Sequence, residues 1–313
     1  MDPPRRQARY NVPMVFALLL SAALSAGTRM PGATVQPPRA RPGEIVRVDV
    51  SGAAEAPSGE LAGRALQFFP AGGGVFRAFA GLPVELEPGP AAAKVTTGSR
   101  TLEARFEVVE PRWREKILSV PPQFTEEKTP EVEARVQEDK AAFQLAFAQP
   151  AAPPAFSRPF AWPRTAKKVT GRFGDLRTFN GATQGQHYGT DLPGPVGAPV
   201  RASNDGTVVL VRDAWASGLT VVLFHGANLY TVYFHLSRAD VALGDRVRRG
   251  DRIGALGASG RASGPHLHWG AKVGDLYVDP ESLLALTGAS KSLAKRSAKA
   301  PAREHRGHPE PAR

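Results

Sequence analysis

The sequence predicts a mostly β protein with two β-rich parts joined by a short helical linker. The 313 residues include 32 glycines and 29 prolines, which favours short elements and turns over long helices. Apolar and polar residues alternate in "EIVRVDV" from Glu44 and in "TLEARFEVV" from Thr101, as on half-buried strands. After Val169, apolar runs such as "GTVVLV" and "LYTVYFHL" recur between glycine turns. These observations together define the expected fold class.

The N-terminal segment, residues 1–27, has the composition of a signal peptide. Three arginines precede the apolar run "VPMVFALLLSAALSAG", which starts at Val12 and ends in small residues. The alternative is a transmembrane anchor, but the run is short for a bilayer span. We therefore expect export, to the periplasm and cell envelope or to the medium. Because no cysteine follows the run, a lipoprotein anchor is excluded.

Two segments follow the signal. Residues 32–110 predict an immunoglobulin-like β-sandwich, an accessory domain with no recognisable chemistry. Residues 111–164 predict a helical, proline-rich linker. Its helix should have Thr129 as N-cap, Pro130 at the first helical position and about five turns. The apolar face of this helix is expected to consist of Val132, Val136, Phe143 and Phe147.

Composition limits the chemistry. The chain contains no cysteine, so disulfides, thiol nucleophiles and cysteine-ligated metals are excluded, and any metal site must use histidine and carboxylate. The net charge is +11, and much of it lies in residues 288–313, which predict a disordered basic tail. Such a tail is either simply solvated or adheres to an anionic wall polymer or membrane surface. Nucleic acid is not an expected partner.

The stretch "GPHLHWG" places His266 and His268 one residue apart. On a strand both rings would face the same way. Two buried imidazoles side by side are a poor way to build a core, because each needs a hydrogen-bond partner. Beside a metal ion, one ring can bind while the other acts next to it. The His-x-His pattern alone leaves the core and metal interpretations open.

Other histidines are candidates for the same site. In "GQHYGTD", His187 and Asp191 have an even spacing that keeps both side chains on one side of an extended segment. A histidine, a carboxylate and a distant histidine leave one zinc position open, which is typical of catalytic sites. His235 in "YTVYFHLS" should share a strand face with Tyr233, and it is either an active-site base or a packed histidine. His225 in "LFHGANLY" is expected to be a partly exposed loop residue.

The motifs "HYGTD", "YFHLS" and "GPHLHW", in this order, resemble the lysostaphin-type, or LytM-like, zinc metalloendopeptidases of the peptidoglycan hydrolase class. The resemblance covers roughly residues 165 to 285 and implies a duplicated hybrid-motif, β-barrel-like peptidase domain with an open groove, expected over residues 165–287. It implies one Zn²⁺ per chain. The implied zinc ligands are His187, Asp191 and His268, and the implied catalytic histidines are His235 and His266.

Three further residues are candidates for the substrate groove. Arg177 and Asn180, in "LRTFNG", match a loop that the family places near the zinc, although turn chemistry explains them equally well. Tyr233 is the third candidate, because it precedes His235 by two residues on the same predicted strand.

The expected function is that of an exported zinc endopeptidase that cleaves peptidoglycan stem peptides or cross-links. The expected partner is peptidoglycan, and the chain is expected to be a monomer. An alternative in another class is a non-catalytic wall-binding protein or an activator of a partner amidase. A third possibility is a latent enzyme whose N-terminal region covers the groove. The sequence leaves the identity of the cleaved bond open.

Overall fold

A computed structural model describes residues 30–118, 128–181 and 183–286. Strands make up 46% of the described residues and helix 10%, which confirms the mostly β class. The expected signal peptide, residues 1–27, and the basic tail, residues 288–313, lie outside the described residues. Within the described part, no helix combines the length and the apolar character that crossing a membrane would require.

The N-terminal part consists of two β-sheets around one core. The first sheet has the order β1 (Gly32–Gln36), β3 (Ile45–Ser51), β7 (Val75–Gly81), β6 (Phe69–Gly72). The second has the order β2 (Arg39–Ala40), β9 (Arg100–Val108), β8 (Gly89–Thr97), β4 (Ser58–Leu61), β5 (Arg64–Ala65). Val48 of β3 and Phe106 of β9 are buried in the shared core, on the apolar faces that alternation predicts. Immunoglobulin-like topology stays a prediction.

The linker contains one strand, β10 (Glu115–Leu118), and one helix, α1 (Pro130–Phe147). The helix begins where the sequence predicts, because the Thr129 side chain accepts a hydrogen bond from the Val132 N–H and Pro130 occupies the first turn. Its apolar face packs onto the C-terminal part, where the Phe143 and Phe147 side chains join a buried cluster. The helix is therefore part of the C-terminal surface.

The C-terminal part is built on a nine-stranded sheet. Six strands follow the order β13 (Thr190–Pro193), β20 (His266–Val273), β17 (Leu229–Ala239), β16 (Gly218–Phe224), β15 (Gly206–Ala214), β18 (Arg246–Val247). The remaining strands are β14 (Pro199–Arg201), β19 (Arg252–Leu256), which pairs with β14 and β17, and β21 (Leu276–Val278), which pairs with β20. A hybrid-motif duplication within this sheet stays a prediction.

Two smaller elements complete the C-terminal part. A three-stranded sheet has the order β10, β11 (Leu176–Phe179), β12 (Thr183–Gln186). A 3-10 helix, Pro280–Ala285, follows β21 and is capped by the Asp279 carboxyl. Strand β10 of the linker thus pairs directly with β11, which brings the linker to the same end of the molecule as the motifs before β13.

The N-terminal and C-terminal parts share a hydrophobic core. Phe79 of β7 packs in one cluster with Val273 of β20 and Val278 of β21. The fit is close at Gly81, where an added Cβ would lie 2.6 Å from Val278 Cγ1. Because Val273 and Trp269 point to the same side of β20, this contact lies on the sheet face opposite His268.

We predict that Phe79→Ala destabilises the whole described fold. Removing a buried phenylalanine side chain costs about 3 to 5 kcal/mol, and here the cavity would open in a core that both parts share. Thermal unfolding followed by circular dichroism should show one transition at a lower temperature. The exposed residue Lys94 provides the control Lys94→Ala, which should leave the transition unchanged. Two separate transitions, with only one shifted, would contradict the shared core.

His225 is fully buried, so the expectation that it is a partly exposed loop residue is wrong. Its Nδ1–H donates to the Asp205 carbonyl at 2.7 Å, and its Nε2 lies 2.8 Å from the Thr231 hydroxyl. That hydroxyl is 2.9 Å from the hydroxyl of Tyr233, which accepts a hydrogen bond from the Ser203 N–H at 2.9 Å. The imidazole therefore connects a buried polar network rather than a surface turn.

This network should make stability depend on pH. Burial lowers the pKa of His225 to about 4, from an ordinary value of 6.5. The folded state favours the neutral ring, so this stabilisation is complete above pH 6.5 and is lost as the pH falls toward 4. His225→Gln removes the titrating group. Between pH 7 and pH 4.5 the wild type should lose about 2 to 3 kcal/mol more than this variant.

The free energy of unfolding, measured by urea denaturation at the two pH values, checks this expectation. The comparison between the two proteins cancels the other titrating groups that they share. Equal losses in both proteins would show that His225 does not contribute to acid destabilisation.

Candidate metal site

Three predicted metal ligands converge at the outermost strand of the large sheet. Asp191 of β13 lies directly opposite His268 of β20 in an antiparallel pair, and His187 comes from the segment before β13. His268 Nδ1 lies 3.0 Å from both His187 Nε2 and Asp191 Oδ1. His187 Nε2 lies 3.1 Å from Asp191 Oδ1. The three ligand atoms therefore form a nearly equilateral triangle.

The triangle suits a zinc ion. Tetrahedral zinc with bonds of about 2.0 to 2.1 Å to nitrogen and oxygen places its ligand atoms about 3.3 Å apart, slightly wider than observed here. Two imidazoles and one carboxylate are ligands that zinc accepts, and they leave a fourth position for water or substrate. Among the described residues, His187, Asp191 and His268 are the metal-ligating side chains whose ligand atoms lie close enough together to share one ion.

Each ligand is oriented by a neighbour. The His187 Nδ1–H donates to the Arg172 carbonyl at 2.8 Å, which directs Nε2 into the triangle. Arg177 Nη2 donates to Asp191 Oδ2 at 2.6 Å, which leaves Oδ1 facing the histidines. Such outer contacts hold ligands in the geometry that metal binding needs. The site is therefore organised by the protein itself.

A stacked ring holds the third ligand. Phe234 of β17 pairs with His268 across the strands, and the two rings lie parallel within 8° with their centroids 5.1 Å apart. The backbone at Gly189 also passes so close to His268 that an added Cβ would collide with the imidazole. These two contacts confine the ring and thereby restrict the direction of its Nδ1.

The electrostatics favour the metal-binding forms of these residues. Although burial opposes ionisation of Asp191, hydrogen bonds with His187 and His268 hold the pKa of its carboxyl well below the usual range. Burial lowers the pKa of His268, and the nearby Asp191 carboxylate opposes that shift. Ionised carboxylate and neutral imidazole are the forms that bind metals.

The two predicted catalytic histidines lie beside the triangle. His266 Nε2 is 3.7 Å from Asp191 Oδ1, and the ring centroids of His235 and His266 are 4.8 Å apart. The His235 Nδ1–H donates to the Ser259 carbonyl at 2.8 Å, and the His266 Nδ1–H donates to the Gly264 carbonyl at 2.8 Å. Because a carbonyl can only accept, both rings carry their proton on Nδ1 and keep Nε2 as an acceptor.

The environment of His235 favours the neutral ring. Burial lowers its pKa to about 4, and the neighbouring His266 adds to the shift, while the hydrogen bond to the Ser259 carbonyl opposes it. At neutral pH, His235 is therefore a neutral imidazole with its proton on Nδ1 and an acceptor at Nε2.

A bulge in β17 corrects the prediction for Tyr233. His235 has a positive φ of 61°, and the pairing of β17 with β16 shifts register between Tyr233 and Leu236. The bulge brings the neighbours Phe234 and His235 to the same side, whereas regular alternation would separate them. Tyr233 instead points into the core opposite Trp269 and is fully buried. The expectations that Tyr233 shares a face with His235 and lines the groove are wrong.

The structure places the two other groove candidates, Arg177 and Asn180, in different environments. Arg177 reaches the site through its ion pair with Asp191. It also lines a cavity of about 360 Å³ together with Lys116, Pro265 and His266. Asn180 lies exposed in the turn between β11 and β12 with a positive φ of 50°, a conformation that asparagine adopts readily. Its place in the groove stays a prediction.

The sequence missed two contributors to the site. Phe234 was overlooked because strand alternation assigns it to the face opposite His235, and only the bulge overrides that assignment. Lys116 of β10 was overlooked because it precedes His187 by 71 positions in the numbering and was assigned to the linker. Phe234 lies within the motif "YFHLS", but that motif does not indicate its contact with His268, and Lys116 lies outside all three motifs.

Comparison with known proteins agrees with this geometry. Residues 185–280 match the family model described as Peptidase family M23. The chain carries a peptidase family M23 domain. The match includes all five histidine and aspartate residues of the site. The M23 domain is a metallopeptidase domain, and its His–Asp–His group is compatible with one metal ion.

Curated relatives match part of this chain and are longer proteins. Peptidoglycan DD-endopeptidase ShyA of Vibrio cholerae is 48% identical over 83 residues, which are 26% of this chain and 19% of ShyA. Peptidoglycan DD-endopeptidase ShyC of the same organism is 37% identical over 118 residues, which are 36% of this chain and 27% of ShyC. The matched region thus spans about a fifth to a quarter of the length of these relatives.

A solved structure extends the likeness beyond the M23 domain. A crystal structure from Pseudomonas aeruginosa, named for peptidase M23, is 28% identical with a TM-score of 0.57. The match covers 80% of this chain and 95% of that one. Parts of the chain outside residues 185–280 therefore have counterparts in that structure.

We predict that Arg177→Gln weakens zinc binding about 10- to 100-fold, because the Asp191 carboxylate loses the contact that orients it. The dissociation constant should be measured by competition with a chromophoric chelator. Arg201→Gln, at an exposed arginine of β14, is the matched control and should leave the constant unchanged. Equal affinities for Arg177→Gln and wild type would exclude an orienting role.

Proposed function

We propose that this chain is an exported zinc-dependent endopeptidase that hydrolyses peptide bonds in peptidoglycan stem peptides or cross-links. The observation that carries the proposal is the triangle of three ligand atoms with two further histidines beside it, both with a free Nε2. The names of the relatives ShyA and ShyC support the choice of substrate. The composition of residues 1–27 supports export.

Three side chains would hold the zinc ion through His187 Nε2, Asp191 Oδ1 and His268 Nδ1. When bound there, zinc supplies Lewis-acid chemistry, which polarises a carbonyl group and makes water more acidic. The protein supplies the geometry of this site, because Arg172, Arg177 and Phe234 fix the three ligands before any ion arrives.

The two remaining histidines would move the protons. A neutral imidazole with a free Nε2 can take a proton from the water that attacks the scissile carbonyl carbon, and can later return it to the departing amine nitrogen. Both His235 and His266 have this tautomer, so either can serve as the base. His266 Nε2 lies 3.7 Å from Asp191 Oδ1, so this base would stand directly beside the metal site.

Two variants separate metal binding from proton transfer. His266→Ala should keep zinc near one ion per chain, since the three ligands remain, while turnover of purified peptidoglycan falls about 100- to 10,000-fold. Asp191→Ala should lose the zinc itself, because it removes one ligand and leaves two. Metal content is measured by mass spectrometry, and turnover by release of soluble muropeptides. His225→Gln, at a buried histidine outside the site, is the control and should retain both.

The other outcomes are informative. Loss of zinc in His266→Ala would overturn its assignment as a catalytic residue. Zinc without any muropeptide release by the wild type would favour the non-catalytic wall-binding alternative. If fragments are released, their masses identify the cleaved bond and distinguish a glycine bridge from a D-alanyl–diaminopimelate link.

A further inference from the structure

Strand β20 carries a lysine on the same face as the metal site. Buried core residues alternate along this strand with residues of the other face. The other face carries His266, His268, Gly270 and Lys272 in succession. Lys272 therefore lies on the metal-site face, about 13 Å along the strand from His268.

Helix α1 covers part of this face. The Phe143 ring lies 6.1 Å from the ring of Phe234, which stacks on His268. The Phe147 ring lies 5.2 Å from the ring of Tyr230, the cross-strand neighbour of Lys272. The helix thus stands beside the metal site and forms a wall at the far end of the face.

A cavity of about 810 Å³ lies between α1 and strands β20 and β21. Phe143, Phe147 and Tyr277 contribute aromatic surface to it. Its wall also includes Ser217, whose carbonyl accepts the N–H of His235 at 2.9 Å. The cavity therefore adjoins the backbone that positions a proposed catalytic histidine.

Lys272 is a buried cation of this cavity, whose lining also includes the exposed Lys140 of α1. Lys272 is 8% exposed, and its ammonium donates to the Gly274 carbonyl at 2.6 Å while facing the rings of Phe147 and Tyr277. In the described part of the chain, Lys272 forms no salt bridge with a carboxylate. Burial lowers its pKa, which the nearby Asp275 opposes. An ammonium with unused donors in an apolar pocket favours an anionic ligand.

The acidic residues of the cavity are already paired. Asp139 of α1 accepts from Arg212 at 2.5 Å and from the Trp215 N–H at 2.7 Å. Asp275 accepts from Arg64 at 3.2 Å. A carboxylate that enters the cavity would therefore meet the charge of Lys272 rather than unpaired acids.

We propose that this cavity is a subsite for a free carboxylate of the peptide substrate, with Lys272 as its cationic partner and the aromatic rings packed against the adjoining side chain. The proposal rests on the proposed function, because the occupant is an extension of the cleaved peptide. The separation from His268 corresponds to about four residues of extended peptide, or fewer when the reach of the lysine side chain is included. Helix α1 is then a wall that determines specificity.

The test compares two forms of one cross-linked muropeptide dimer, with its free carboxylates intact or converted to carboxamides. For the wild type, KM should be about tenfold higher for the amidated form, with kcat within twofold, since the lost charge-assisted hydrogen bond lies away from the reacting atoms. Lys272→Gln should raise KM for the free form to the amidated value and abolish the discrimination. Lys272→Arg should restore it, and Lys94→Gln, on β8, should behave as wild type.

A binding measurement separates this proposal from the proposed function. The zinc-loaded His266→Ala variant should bind the free form about tenfold more tightly than the amidated form in calorimetry, whether or not the wild type cleaves either peptide. Discrimination in binding without cleavage by the wild type would support the subsite and overturn the endopeptidase proposal. Equal affinities for the two forms, or no binding of either, would overturn the subsite. Because this measurement compares two peptides on one protein, its result does not depend on whether a Lys272 variant folds.

Discussion

The contact of the Asp191 carboxylate with two imidazoles is the interaction on which the site depends. Burying a carboxylate is costly unless charged or hydrogen-bonding partners compensate it, and here His187, His268 and Arg177 all reach its two oxygens. The β13–β20 pairing sets Asp191 and His268 directly opposite each other, so the sheet register itself creates the contact. A one-residue slip would turn one of them into the core.

The two faces of the large sheet have different roles, because one packs in the core and the other carries the metal site. Along β20, Leu267 and Trp269 belong to the core, while His266 and His268 face the site. The N-terminal sheets pack against the core side, through the cluster that contains Phe79 and Val273. In the described structure they therefore contact the M23 domain on the side opposite the metal site. This packing does not favour the idea that they cover the groove.

Prediction of strand faces from the sequence succeeded where the strand is regular and failed where the strand has a bulge. Alternation correctly placed His266 and His268 together because β20 is a regular strand in this stretch. It failed in β17, where the positive φ of His235 reverses the expected faces and exchanges Tyr233 for Phe234 at the site. The expectation for His225 rested on its position before a glycine turn, and it failed because such a residue is exposed only if nothing packs over the turn. Here Phe160 lies 5.0 Å from the imidazole ring.

The sequence by itself determined the mostly β class and the start of α1 at Pro130, because these features depend on residue type and on short spacings. The set of residues that meet in the metal site followed from the resemblance of three short motifs to the lysostaphin-type peptidases, since these motifs lie far apart in the chain. Only the tertiary structure decided that α1 becomes a wall beside the metal site, that carbonyls of Ser259 and Gly264 orient the two free histidines, and that Lys272 faces a cavity. The physical reason is that such contacts join segments far apart in the chain, and their geometry follows from sheet register and packing.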